Sequence, residues 1–175
     1  MKPTKSIKEI LENPEIFEIN REKAHSDHNI KTLEGELKQD LCGSWDFYYS
    51  DTLENRPVDF FKEDFDISEF KKIQVPGHIQ LQGYGKPQYV NVQYPWEGKE
   101  DIVPPAIPSK NPVGSYVKYF DVEKSLLNKE TFISFQGVEP AFSLWINGNY
   151  VGYSEDSFTP SEFNITPYLK EKNNK

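Results

Sequence analysis

The sequence predicts an all-β domain built as a sandwich of short strands, and three observations carry that reading. Aromatic residues total 12 Phe, 10 Tyr and 3 Trp in 175 residues, a large share of a chain only 36% hydrophobic, so aromatic rings must supply much of its core. From residue 42 onward the apolar pattern repeats every second residue, the period of a half-buried strand. Gly and Pro punctuate these runs at short intervals, which favours strands joined by turns over long helices.

The elements follow in order. Ile7, Ile10 and Leu11 share one helical face, so the spacing predicts a short helix within Thr4–Asn13, stopped by Pro14. Residues 1–40 otherwise lack the apolar content to make a core and read as an extended arm lying on something else, with 41–175 as the sandwich domain. Trp45, Phe47 and Tyr49 alternate on one face of a strand over Gly43–Ser50. Lys71–Val75 is a second strand, ended by Pro76-Gly77. Ser115–Val122 and Thr131–Phe135 are the third and fourth. Over Ala141–Asn149, Phe142, Leu144 and Ile146 share a face; Asn147-Gly148 then supplies two residues suited to positive φ, and Tyr150–Tyr153 returns as the hairpin partner. Thr166-Pro167 reads as an N-cap with proline in the first turn, after which Lys170–Lys175 trails off.

Composition excludes several functions. Lys plus Arg is 20 against 28 Asp plus Glu, a formal charge of −8, so nothing suggests a phosphate-tracking, nucleic-acid-binding surface. No apolar run is long enough to span a membrane. The single cysteine, Cys42, rules out an internal disulfide and reads as a small buried residue. With no apolar leader after Met1, the expected compartment is the cytoplasm. No nucleophile elbow, phosphate loop or zinc-protease helix is present, and no carboxylate pair is framed by apolar sequence. By itself the chain reads as a binding or accessory module.

Three segments invite a functional reading. Residues 76–112 hold seven prolines yet also Tyr84, Tyr89, Tyr94 and Trp96, the composition of a functional loop. Within it, Asn91 carries a donor and an acceptor that match a pair of sugar hydroxyls, with flanking rings to pack on a pyranose; the other reading has Asn91 pinning the loop's own backbone. Glu155-Asp156, beside Ser154 and Ser157, suits either a hard cation or a turn in which Asp156 or Ser157 caps local backbone amides, the second being favoured. His25-Ser26-Asp27-His28 has the spacing of two metal ligands, but no further ligand follows, so a surface loop is the better reading.

At these residues the chain resembles bacterial β-galactosidases of glycoside hydrolase family 2. The likeness rests on Glu12-Asn13-Pro14 through Asn20-Arg21 to Ala24-His25, on Leu41-Cys42-Gly43-Ser44-Trp45-Asp46-Phe47, on Val75-Pro76-Gly77-His78 through Asn91 to Tyr94-Pro95-Trp96, and on Gly137-Val138-Glu139 through Asn147-Gly148 to Pro160-Ser161-Glu162-Phe163. The resemblance implies a jelly-roll, galactose-binding-domain-like sandwich that binds sugar, ending here before the family's first domain is complete. It implies a retaining β-galactosidase acting on terminal β-galactosides such as lactose. The catalytic glutamates of that family sit on a TIM barrel downstream, so no catalytic residue is assigned in this chain and the fragment alone is expected to be inactive. Asn91 matches the asparagine that bonds galactose hydroxyls. Around a second Mg²⁺ site, Asn13 matches a ligand, Ile16 a backbone-carbonyl donor, and Glu155 stands where a relative has glutamine, while Ile10 replaces another acidic ligand. Na⁺ and Mg²⁺ are implied for the whole enzyme, whose sodium-binding aspartate lies outside this chain. Expected partners are the galactoside, the barrel and further copies, because residues 10–40 resemble an interface-supporting segment. The competing reading is a stand-alone carbohydrate-binding or interaction module.

Overall fold

The computed structural model describes residues 5–24, 37–87, 89, 91 and 94–175. Among these residues a short helix α1 (Ile7–Leu11) is followed by eight strands: β1 (Glu18–Ile19), β2 (Gly43–Ser50), β3 (Lys71–Val75), β4 (Val113–Val117), β5 (Phe132–Phe135), β6 (Phe142–Ile146), β7 (Asn149–Ser154) and β8 (Ser161–Asn164). They form three antiparallel groups, ordered β1-β7-β6, β3-β2-β4 and β5-β8. The all-β expectation therefore holds, with a single turn-and-a-half of α-helix.

The β6–β7 hairpin is the centre of the molecule, and sequence explains why. Asn147 (φ 50°) and Gly148 (φ 77°) are the two positive-φ residues of its turn. Phe142, Leu144 and Ile146 lie on the face that packs against Phe163 and Ile165, with Ile133 and Phe135 of β5 completing the layer. The Phe142 and Phe163 rings meet edge to face at 5.9 Å and 82°. The pairing slips at Leu144/Trp145, so Leu144 faces Gly152 while Trp145 faces Tyr150. That bulge gives β7 one extra residue, Val151. It lets Tyr150 and Tyr153, an odd number of residues apart, share one face while Val151 points to the other.

The arm covers that second face. Ser6 caps α1 reciprocally: its hydroxyl accepts from Glu9 N–H (3.2 Å) and its own N–H donates to the Glu9 carboxylate (2.7 Å). The predicted helix thus shortens to Ile7–Leu11. Ile10, 1% exposed, packs with Ile7 and Leu11 against Tyr150 and Tyr153. Burying one such isoleucine is worth about 1.5–3 kcal/mol. β1 then pairs with β7, Glu18 opposite Ser154 and Ile19 opposite Tyr153. The expectation that the arm lies on something else is corrected for residues 5–24: their docking surface is this chain's own hairpin. The two-residue β1 and the four-residue β8 are too short for the alternation that reveals a strand.

Gly152 makes the crossing of β1 over β7 possible. A Cβ there would stand 2.4 Å from the Ile19 carbonyl oxygen and 2.6 Å from the Phe163 ring. Gly152→Ala is therefore expected to cost about 2 kcal/mol through overpacking, read as a lower urea midpoint at unchanged slope.

The β3-β2-β4 sheet buries Phe47, Ile73 and Val117. Trp45, Phe47 and Tyr49 share a face as predicted, Phe47 meeting Tyr84 and Tyr116 at 4.7 Å each. From the opposite face Tyr48 contacts Phe70, Phe70 contacts Phe60, and Phe60 contacts Trp145, a run of rings that ties this sheet to the hairpin. β4 ends at Val117, short of the predicted Val122, and beyond it only Phe120 forms a bridge, to Asn174. Thr166 does not act as an N-cap. Its hydroxyl accepts from Thr131 N–H (2.8 Å), while the Asn164 side chain takes the Thr166 N–H (3.0 Å). Nor does the carboxy-terminal segment trail off: Asn174 is fully buried.

Candidate functional site

The first candidate region is the loop that carries Asn91. Its entry is moored by Tyr84, whose ring lies 4.7 Å from Phe47 and 5.9 Å from Tyr49. Further on, the Glu100 carboxylate accepts from Ser109 N–H (2.8 Å) and Lys110 N–H (3.4 Å), and these bonds to the ionised form hold its pKa below the usual carboxylate value. Asn91 sits in a bend at the surface, exposed. Nearby in sequence, Tyr94 and Trp96 stack at 4.9 Å and 10°, with Tyr94 67% exposed, and Tyr89 is 86% exposed. An exposed asparagine in a stretch that also carries exposed rings has the chemistry to hold a sugar: an amide pairs with hydroxyls and rings take the C–H face.

The second region lies where the arm meets the end of β7. Glu155 N–H donates to the Phe17 carbonyl (3.0 Å), directly after the Glu18–Ser154 pair. This bond sets the end of the Asn13–Phe17 segment beside the backbone of Glu155. The Asn13 side-chain oxygen already accepts from Glu15 N–H (3.0 Å), and its carbonyl from Ile16 N–H (3.0 Å). Glu155 accepts from the Tyr153 hydroxyl, whose pKa burial and that carboxylate push up. The donor atoms are all oxygens, as a hard cation prefers, with the second Glu155 oxygen and the Ile16 carbonyl left to offer. Among the described residues no group of three or more His, Cys, Asp or Glu gathers as a metal cluster. His25 and His28 lie outside the described residues.

The adjacent carboxylates Glu155 and Asp156 diverge. Asp156 accepts from Phe158 N–H (2.9 Å), Thr159 N–H (3.1 Å) and the Thr159 hydroxyl, the capping turn anticipated for it. It also meets Arg21, whose side chain is only 4% exposed and whose Nη2 donates to Asp156 (3.2 Å), Thr159 Oγ1 (2.7 Å) and the Pro160 carbonyl (3.1 Å). Asn20, at φ 54°, sends its amide to the Val151 carbonyl (2.9 Å). The Asn20-Arg21 pair is thus a brace between arm and hairpin, a role that neither period nor composition announces. In the sequence the pair shows only as part of the stretch Asn20-Arg21 to Ala24-His25 that carries the family resemblance.

The Thr159 hydroxyl, then the Phe158 and Thr159 amides and Arg21, hold the Asp156 carboxyl far below its usual pKa. A depressed folded-state pKa means the brace contributes fully above the unfolded value of about 3.9 and fades as pH falls through the lower folded-state value. Amide exchange at Phe158 and Thr159, corrected for intrinsic rate, is expected to stay slow from pH 7 to about 4 and to accelerate only below that.

Cys42 is exposed, not buried. Contact with Asp40 raises its thiol pKa, which disfavours the reactive thiolate. No helix among the described residues is long and apolar enough to cross a membrane.

Comparison with known proteins matches this geometry to a family. The model of "Glycosyl hydrolases family 2, sugar binding domain" matches residues 38–175. A "Beta-galactosidase" of Clostridium acetobutylicum is 56% identical over 174 residues, covering 94% of this chain and 19% of that protein. One of Lactobacillus delbrueckii subsp. bulgaricus is 49% identical over 172 residues, covering 94% and 17%. The chain therefore spans about a fifth of the length of these relatives. Among solved structures, a Bifidobacterium dentium β-glucuronidase complexed with coumarin-3-O-glucuronide superposes with a TM-score of 0.53 at 20% identity, over 77% of this chain and 18% of that one. A β-glycosidase from Bacteroides vulgatus gives 0.51 at 22%, over 76% and 16%. These two likenesses speak to the fold alone. With the family's profile covering the strands from β2 to β8, the chain belongs to the sugar-binding domains of family 2 glycosyl hydrolases.

Proposed function

We propose that this chain is the amino-terminal sugar-binding domain of a retaining β-galactosidase that hydrolyses terminal β-galactosides such as lactose. The observation that carries the reading is the 56% identity with a β-galactosidase along 94% of the chain. A stand-alone carbohydrate-binding or interaction module leaves that identity unexplained.

In this reading the chemistry belongs to two glutamates of a separate barrel, one acting as nucleophile and one as acid and base. The domain's contribution is positional. Asn91, exposed at the bend of its loop, offers donor and acceptor to galactose hydroxyls and helps hold the anomeric carbon in line with the nucleophile. The braces at Tyr84 and Glu100 limit how far that loop can shift. Glu155, with the Asn13 amide and the Ile16 carbonyl, would hold a Mg²⁺ that bridges arm and hairpin, a supporting position. The Na⁺ of the whole enzyme is assigned to residues outside this chain. The cytoplasm is the compartment that fits a chain with one exposed, unpaired thiol. Further copies of the longer protein are its expected partners.

The test separates the parts. The purified 175-residue chain is expected to show no turnover of o-nitrophenyl β-galactoside, whereas the longer protein containing it turns it over and the glucoside poorly. Turnover by the short chain alone, or a longer protein inactive on galactosides, overturns the reading.

A further inference from the structure

A cavity of about 220 Å³ opens between β2 and the segment 51–70, and none of its lining residues belongs to the sites above. Its walls include the rings of Tyr48, Phe65 and Phe70. Phe70 lies 5.5 Å from Tyr48 at 43° and 6.4 Å from Phe65 at 69°, so the three rings are inclined to one another instead of stacked. Asp66, Glu69, Asn55, Ser68 and Pro57 complete the lining, which includes no lysine or arginine among the described residues. Asp66 is held in place by Ser68, whose N–H (2.9 Å) and hydroxyl (3.0 Å) both donate to it. Those bonds favour its ionised form and lower its pKa.

The surrounding charge points the same way. Residues 51–70 hold seven carboxylates against two basic side chains, five of the chain's eight net negative charges. Both basic groups are engaged locally, Arg56 with the Leu53 carbonyl and Lys62 with Asp59 (2.8 Å). The same segment already receives two ammonium groups from the carboxy terminus. Lys170 pairs with Glu63, and the Lys175 ammonium bonds the Lys62 carbonyl while lying 6.0 Å from the Phe65 ring and 5.9 Å from that of Tyr119. Phe65 therefore serves one cation from its own chain and lines the cavity as well.

We infer that this cavity is a binding site for a primary alkylammonium group. Ring faces are electron-rich and attract a cation, and the carboxylates at the rim add a Coulombic term that excludes phosphate and other anions. A neutral polyol gains neither term, so the site differs in chemistry from the sugar-binding loop.

The probe is n-butylammonium chloride, titrated into the 15N-labelled chain at constant ionic strength, with n-butanol and sodium chloride as parallel arms. Saturable amide shifts are expected at Tyr48, Asn55 and residues 65–70 with the amine alone. Half-saturation should fall at about 1–10 mM, the range of a partly exposed cation site. Asp66→Asn with Glu69→Gln should weaken binding at least about fivefold by removing the rim charge. Asparagine at 66 can still accept from Ser68, and Glu69→Gln alone, at an exposed position, serves if the double variant loses its spectrum. Equal shifts from butanol would mean an apolar cavity only. Shifts reproduced by sodium chloride would mean charge screening only. An unchanged affinity in the variants would remove the carboxylates from the site. Each of these three results overturns the proposal.

Discussion

Asn174→Ala is expected to destabilise the chain by about 3 kcal/mol, a large share of the 5–15 kcal/mol that holds an ordinary domain folded. The side chain is fully buried and all of its hydrogen-bonding capacity is used. Its amide donates to the Lys170 carbonyl (2.7 Å) and the Phe120 carbonyl (3.3 Å), and its oxygen accepts from Lys170 N–H (2.8 Å) and Asn147 Nδ2 (2.9 Å). Alanine removes these bonds and leaves the Lys170 N–H facing a site that has lost its acceptor. The cost is that of stranding buried polar groups, which exceeds the modest net value of a bond. The loss reaches the hairpin turn, since Asn147 also accepts from Lys175 N–H (2.8 Å) and donates to the Tyr168 carbonyl (2.9 Å). A melting temperature lower by about 6–12 °C is the expected readout, with Lys172→Ala, an exposed neighbour, within about 1 °C of the parent. A variant as stable as the parent would mean that residues 170–175 are not docked in solution.

Asn91→Ala, made in the longer enzyme, is expected to lower kcat/KM for galactosides by about 2–4 kcal/mol, or roughly 30- to 1000-fold. Under the proposed function, the magnitude follows from a galactose hydroxyl losing a hydrogen bond that matters most as the transition state forms. Because Asn91 is exposed at a bend, its removal leaves the core untouched, and the melting temperature should stay within about 1 °C. Stability and activity thus separate the two readings of this residue. A variant with unchanged kcat/KM and a lowered melting temperature would make Asn91 a support of its own loop and nothing more.

Strand position was legible where alternation was clearest, and less so at β4, which runs Val113–Val117 against the expected Ser115–Val122. β2 and β3 match their predicted limits, and Phe142, Leu144 and Ile146 face the core as read, because a pleated strand converts period two directly into one buried face. Ser161–Asn164 was not placed as a strand because four residues, three of them polar, make too short a pattern, although Phe163 is fully buried there. Thr166-Pro167 misled for another reason. A threonine before proline has the local chemistry of a cap, but here the hydroxyl is claimed by Thr131, far away in sequence.

The candidate site divides along the same line. Asn91, Asn13, Ile16 and Glu155 were marked by residue chemistry and resemblance, and the asparagine-glycine turn that places Glu155 at the end of β7 was evident from its positive-φ preference. Arg21 was passed over because a lone arginine in a polar arm has no periodic signature. Its function exists only once β1 has paired with β7 and set it against Asp156 and Thr159.

By itself the sequence determined the strand class, the hairpin turn and the aromatic character of the core. Each of these follows from residue type and spacing within a few positions. Tertiary structure alone decided that the arm lies on its own hairpin, that Tyr150 and Tyr153 share a face across a bulge, and that an asparagine one residue from the end is buried. Those outcomes depend on which distant groups remain unsatisfied after the strands pair. The part-buried carbonyls of Phe120 and Lys170 take donors from Asn174, and the second face of β7 takes apolar cover from α1, so both are met from opposite ends of the chain.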